Sequence, residues 1–209
     1  MTPEFIYLHG FGSGPSSRKA RFFAEKLRRA AARVDIPELT RGDFENLTIT
    51  GQLEVVAETA AGRPVGLIGS SMGGYLAALY AACHPEVTRL MLMAPAFGLM
   101  SRWPEWLGEG KMMQWRESGG IEFFHYASMR MRRLKYGLIE DAGRYEEVPG
   151  FLQQALIFHG VNDDVVPVEN SRRFAALHTN VRLVEFESGH ELTDVMERMW
   201  SEAAGFLLA

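Results

Sequence analysis

Between residues 64 and 84 an apolar, strand-forming run, Pro64-Val65-Gly66-Leu67-Ile68-Gly69-Ser70, passes through a single turn into an alanine-rich stretch that Pro85 stops. The junction reads Gly69-Ser70-Ser71-Met72-Gly73, a G-x-S-x-G pattern. Five residues leave no room for a loop, so the strand has to turn sharply into a helix that begins near Met72. A turn of this kind holds its central residue, Ser71, in a strained backbone conformation with the hydroxyl exposed. Side chains two positions away on either side would collide with neighbouring elements, which explains Gly69 and Gly73. Ser70 lacks that glycine pair. The helix start also points backbone N–H groups and the positive end of a dipole at any developing negative charge. The bland alternative is a strand–turn–helix junction with an idle serine.

The rest of the chain repeats the strand–helix rhythm. Phe5 to Leu8 is a buried strand ending in the glycine-rich loop His9-Gly10-Phe11-Gly12-Ser13-Gly14. Ser16 or Ser17 caps a helix over 18–32 with Phe22, Phe23 and Leu27 on one face. A weak strand is expected at 34–39, a helix at 47–61, and strands at 89–93, 155–158 and 181–186. Helices are expected at 169–178 and 191–208. The strands are continuous apolar runs, as strands buried on both faces are. That pattern predicts a mainly parallel sheet covered by helices on both sides, an α/β fold. The candidate catalytic groups each follow a strand, and in open α/β sheets sites form at the carboxyl ends of the strands.

Residues 96–150 break the rhythm. The segment is rich in Trp, Met and other aromatics and has no clear strand, so it reads as a partly helical cap inserted over that edge of a single domain spanning 1–209. Most of its apolar side chains suit a small core of the cap itself. Trp106, Trp115 and Met112 are the candidates for lining an apolar substrate pocket above Ser71. Arg130, Arg132, Arg133 and Lys135 read as one solvated helix face, or as an attractor for an anionic leaving group.

Three segments carry further chemistry: His9-Gly10-Phe11-Gly12-Ser13, then His159-Gly160-Val161-Asn162-Asp163-Asp164-Val165-Val166-Pro167, then Glu187-Ser188-Gly189-His190. With the serine turn, they make the sequence resemble the α/β-hydrolase family, and within it the small bacterial YqiA-like esterases and related thioesterases. The resemblance covers nearly the whole chain except the insertion. It implies the α/β-hydrolase fold and the order Ser, acid, His: Ser71 as nucleophile, Asp163 as acid with Asp164 the runner-up, and His190 as general base. It implies oxyanion-hole N–H groups from Phe11 and Met72. His9 then belongs to the oxyanion loop, and His159 supports the Asp163 loop. His84 and His178 fall at helix ends, and His125 lies in the insertion.

The chemistry implied is attack of Ser71 on an acyl carbon with His190 taking its proton, an acyl-enzyme, and release by water. The substrate expected is a small acyl ester or thioester, a choice that sequence does not separate. A catalytically idle binding protein on the same fold is the alternative from another class. No cofactor is expected: the glycine-rich loop lacks G-x-x-x-x-G-K-[ST] and G-x-G-x-x-G spacing. No metal is expected, because the histidines are scattered without ligand spacing. The formal net charge of −4 and the absence of a basic segment disfavour nucleic acid. No apolar run is long enough to span a membrane. One cysteine cannot form an intrachain disulfide. The N-terminus lacks a basic start and a small-residue cleavage site, so a cytoplasmic location is expected. Oligomeric state is not legible.

Overall fold

The computed structural model describes residues 2–209, with Leu99 described by its backbone alone. In chain order the elements are β1 (Glu4–Leu8), α1 (Arg18–Arg29), β2 (Arg33–Asp35), α2 (Ile49–Ala60), β3 (Val65–Ser70), α3 (Met72–Cys83) and β4 (Val87–Met93). Then come α4 (Leu99–Leu107), α5 (Glu109–Ser118), β5 (Gly120–His125), β6 (Arg130–Lys135) and α6 (Gly137–Ala142). The chain closes with β7 (Gln154–Gly160), α7 (Val168–Leu177), β8 (Val181–Phe186) and α8 (Met196–Leu208).

Six strands pair in parallel in the order β2-β1-β3-β4-β7-β8. Alternation of side chains along each strand divides the apolar runs between two cores. Ile6 and Leu8 of β1, Leu90 and Leu92 of β4, and Ala155 and Ile157 of β7 join the core beneath α2, α3 and α7. Phe5 and Tyr7, Met91 and Met93, and Leu156 and Phe158 join the opposite core with α1 and α8. Parallel strands covered in this way must be apolar on both faces, which is why they read as unbroken runs rather than alternating ones. Caps set the helix starts. The Ser17 hydroxyl accepts from Ala20 N–H at α1, and the Thr48 hydroxyl accepts from Gly51 N–H at α2.

The insertion differs from its sequence reading. It holds α4, α5 and α6, but also the antiparallel hairpin β5–β6, with Phe123 opposite Arg132 and Phe124 opposite Met131. The basic run is therefore a strand and not a helix face. In β6 only Leu134 is fully buried, so the strand shows no apolar period, and its turn is closed by Met129 at φ 52° in place of a glycine signal. The expected strand at 34–39 shrinks to the three residues of β2, and the last helix starts at Met196, not near 191.

Candidate active site

Ser71 has φ 54° and ψ −118° at the junction of β3 and α3. The left-handed φ is costly for any residue with a side chain, so the surroundings must enforce it. They do so by close packing. A Cβ on Gly73 would lie 2.1 Å from Leu8 O, and one on Gly69 would lie 2.3 Å from Gly73 O. The Ser71 N–H donates to Met93 O, and its carbonyl accepts from Gly74, Tyr75 and Ala96 N–H.

His190 lies on the loop between β8 and α8. Its Nε2 is 3.0 Å from Ser71 Oγ, and its Nδ1 is 2.8 Å from Asp163 Oδ2. Asp163 sits on the loop after β7, with its side chain fully buried. Its Oδ1 accepts from Val165 N–H at 2.9 Å and Val166 N–H at 2.8 Å. Its Oδ2 also lies 3.1 Å from His159 Nε2. Burial opposes ionisation of this carboxyl. The donors on His159, His190 and Val166 outweigh that and hold it well below the usual carboxylate range. Asp164 is exposed, and Asp163 is the aspartate that meets His190.

His159 is fully buried. Its Nε2 faces two acceptors, Asp163 Oδ2 and Val166 O at 2.9 Å, and therefore carries the proton. Its Nδ1 lies 2.7 Å from Ser171 Oγ and accepts from that hydroxyl. His9 has an analogous place in the loop after β1. Its Nδ1 lies 3.1 Å from Gly10 O, and its Nε2 accepts from Leu39 N–H at 3.4 Å. Burial lowers its pKa and favours the neutral ring.

The loop holding Phe11 lies against Ser71. A Cβ on Gly10 would be 3.3 Å from Ser70 O and 3.4 Å from Ser71 Cβ. The N–H groups of Phe11 and Met72 have no acceptor among the described residues. The Phe11 ring is held by Phe44, Trp103 and Phe123 at 5.5–5.6 Å. The insertion hairpin clamps the same loop, because Ala127 N–H donates to Gly12 O at 3.0 Å.

A cleft of about 460 Å³ opens beside Ser71 and His190. Its apolar wall includes Phe11, Met72, Phe97, Trp103, Trp106 and Val166. Of the three cap residues expected there, Trp106 lines it. Trp115 does not: it is fully buried, its Nε1–H donates to Leu134 O, and its ring packs on Trp103, Phe123 and Tyr136. Met112 is half-buried against the α3-side core, away from the cleft. Trp103, which is not one of those three, also lines it. None of Arg130, Arg132, Arg133 and Lys135 reaches the cleft. Arg133 faces Glu45, and Lys135 donates to Asn46 Oδ1. The cations that line it are Arg18, Lys19 and Arg102.

A parallel six-stranded sheet with this serine turn and an aspartate–histidine–serine line at its carboxyl edge defines an α/β hydrolase. The chain belongs to the family described as "Uncharacterised protein family (UPF0227)", whose sequence profile matches residues 4–206. Over 105 residues it is 32% identical to mouse monoacylglycerol lipase ABHD6, a match that spans 45% of this chain and 31% of that protein. Two solved structures share the fold. Mouse alpha/beta hydrolase domain-containing protein 10 superposes with a TM-score of 0.83 at 19% identity, covering 99% of this chain and 90% of that one. Est1E from Butyrivibrio proteoclasticus, solved with ferulic acid bound, has a TM-score of 0.77 at 22% identity, covering 97% and 90%. No helix among the described residues is long and apolar enough to cross a membrane.

Proposed function

We propose that this chain is a serine hydrolase that cleaves small carboxylic esters through an acyl-enzyme. The observation that carries the reading is the unbroken line Ser71 Oγ–His190–Asp163, at 3.0 and 2.8 Å. Ser71 attacks the acyl carbon and its proton passes to His190 Nε2. The Nδ1–H keeps donating to Asp163, whose ionised carboxylate fixes the tautomer and stabilises the imidazolium. The oxyanion of the tetrahedral intermediate is met by the free N–H groups of Phe11 and Met72, each such donor contributing on the order of 100- to 1000-fold in rate. His190 then protonates the leaving alcohol, activates water, and the acyl group departs as a carboxylic acid. An ester substrate also agrees with the monoacylglycerol lipase relative and with the ferulic acid held by Est1E.

The test is a panel of p-nitrophenyl esters, with matched acyl-CoA thioesters, on purified protein and on Ser71→Ala, alongside labelling with a fluorophosphonate probe. Wild type labels at Ser71 and turns over esters. The variant keeps its circular dichroism spectrum, does not label, and loses turnover by at least about a thousandfold. An unlabelled wild type, or turnover that survives in Ser71→Ala, overturns the reading.

A further inference from the structure

One stretch of the cleft wall has no part in the mechanism above. It comes from β1 and the first turn of α1: Tyr7, Ser17, Arg18 and Lys19, facing Glu191 next to His190. Lys19 is anomalous there. Its side chain is only 9% exposed, and the contact its ammonium makes with Glu191 is longer than an ordinary hydrogen bond. The nearest carboxylate oxygen, Glu191 Oε2, is 3.8 Å away on a side chain that is 76% exposed and free to face water. A buried ammonium is costly without acceptors, and a loose contact at that distance supplies little. Burial accordingly lowers the Lys19 pKa, against the pull of Glu191 and Asp163.

Tyr7 provides a second, independent sign. It lines the same cleft, it is 1% exposed, and its buried hydroxyl has no hydrogen-bond partner. Buried hydroxyls nearly always have one. Arg18 adds a second cation to the wall, exposed and with no ion pair among the described residues. Asp163, the other negative charge near Lys19, is fully engaged by four donors from His159, His190, Val165 and Val166. The wall thus offers unused donors and positive charge in the cleft that Ser71 and His190 also line, along with an apolar stretch of Phe11, Phe97, Trp103, Trp106 and Val166, while Arg102, the third cation there, is engaged by Glu105 and Val165 O.

We propose that Lys19, with Arg18 and the Tyr7 hydroxyl, forms a subsite for a carboxylate carried by the substrate, so that the preferred ester is a monoanion with an apolar remainder. The proposal rests on the esterase reading of Ser71. The carboxylate can sit on either side of the scissile bond, and the two cases are separable. The acyl arm compares the mono-4-nitrophenyl ester of glutaric acid with 4-nitrophenyl valerate. The alcohol arm compares 4-carboxyphenyl butyrate with 4-carbamoylphenyl butyrate.

In one arm the charged ester has a kcat/KM about 10- to 100-fold above its neutral counterpart, the span expected of charge-assisted hydrogen bonds in a partly dry site. In Lys19→Met that ratio falls to about one, and in Tyr7→Phe it falls several-fold. Reading the ratio cancels any general damage. If Lys19 merely supported Asp163, charged and neutral esters would suffer equally. Equal rates in both arms of wild type, or an advantage that survives in Lys19→Met, overturn the subsite while leaving the esterase reading intact. Tyr7→Phe removes only an unpartnered oxygen and carries the test if Lys19→Met does not fold. If no ester is turned over, binding of monobutyl glutarate and of butyl valerate is read by the fluorescence of Trp103 and Trp106. Tighter binding of the acid that is lost in Lys19→Met upholds the subsite without the esterase reading, and equal binding overturns both.

Discussion

The buried imidazole of His159 lies 3.1 Å from Oδ2 of Asp163, the same oxygen that His190 meets at 2.8 Å. The carboxylate between them is thus shared by a histidine that reaches Ser71 Oγ and one that is sealed in the core. The His159 ring also ties Val166 O and Ser171 Oγ to the loop. His159→Phe fills the space but leaves these groups without partners, at a cost of about 2 kcal/mol for buried polar atoms stripped of hydrogen bonds. The urea midpoint should fall accordingly with an unchanged m-value. Turnover should drop by about tenfold, well short of the loss on the order of 10,000-fold expected for Asp163→Asn, where the tautomer of His190 is no longer fixed. A variant as stable as wild type would show that His159 does not brace this loop.

Stability should respond to acid in two windows. Burial lowers the pKa of His9, and burial with Arg132 nearby lowers that of His125. Their neutral forms are favoured by the fold, so the unfolded chain takes up more protons as pH falls below about 6.5, and stability is lost from there downward. Asp163 has the opposite chemistry but the same direction of loss. Its depressed pKa contributes stability in full above about 3.9, the unfolded value, and the contribution disappears as pH falls from there toward the folded value. Each histidine contributes a slope of up to about 1.4 kcal/mol per pH unit. Urea midpoints collected from pH 7.5 to 4.5 should show this slope, and His9→Gln should reduce it. An unchanged slope in the variant would remove His9 from the account.

Much of this arrangement is legible before any coordinates. The two-sided apolar strands, bounded by turn signals and alternating with helices, point to a covered parallel sheet, in which Leu90 and Leu92 bury on one face and Met91 and Met93 on the other. The turn at Ser71 is readable because the geometry demands glycine at 69 and 73. The hairpin β5–β6 is not readable, since β6 is largely basic and holds a single fully buried residue, Leu134. Lys19 is hidden for a different reason. In sequence it is one more charge in the first turn of a basic amphipathic helix. Its burial arises only in the folded molecule, where Glu191, more than 170 residues later, comes within 3.8 Å of its ammonium. Charges buried by distant segments leave no periodic trace.

The backbone at Ser71 yields an opposed pair of effects. With φ 54° and ψ −118°, the position is strained for serine and relaxed for glycine. Ser71→Gly should therefore raise the unfolding free energy by about 1 kcal/mol while abolishing ester turnover. Thermal denaturation and an ester assay on the same sample check both halves. Loss of stability in Ser71→Gly would mean that the contacts of the serine side chain, and not its backbone, hold the turn.

The two tryptophans of the cap should separate cleanly. Trp115 is fully buried, packs on three aromatic rings and donates to Leu134 O. Trp115→Ala opens a cavity and removes the indole N–H bond to that carbonyl, so a loss of about 3–5 kcal/mol is expected, with any change in activity following from unfolding. Trp106 is 59% exposed and lies along the cleft, 5.4 Å from Trp103 between ring centres. Trp106→Ala should change stability by less than about 1 kcal/mol. It should instead raise KM for medium-chain p-nitrophenyl esters more than for acetate, because the lost ring is wall for the distal part of the substrate and not for the reacting carbonyl. Chain-length profiles of kcat/KM beside urea melts decide the matter. Equal profiles for wild type and Trp106→Ala would take this ring out of the binding surface and leave Trp103 as the tryptophan that shapes it.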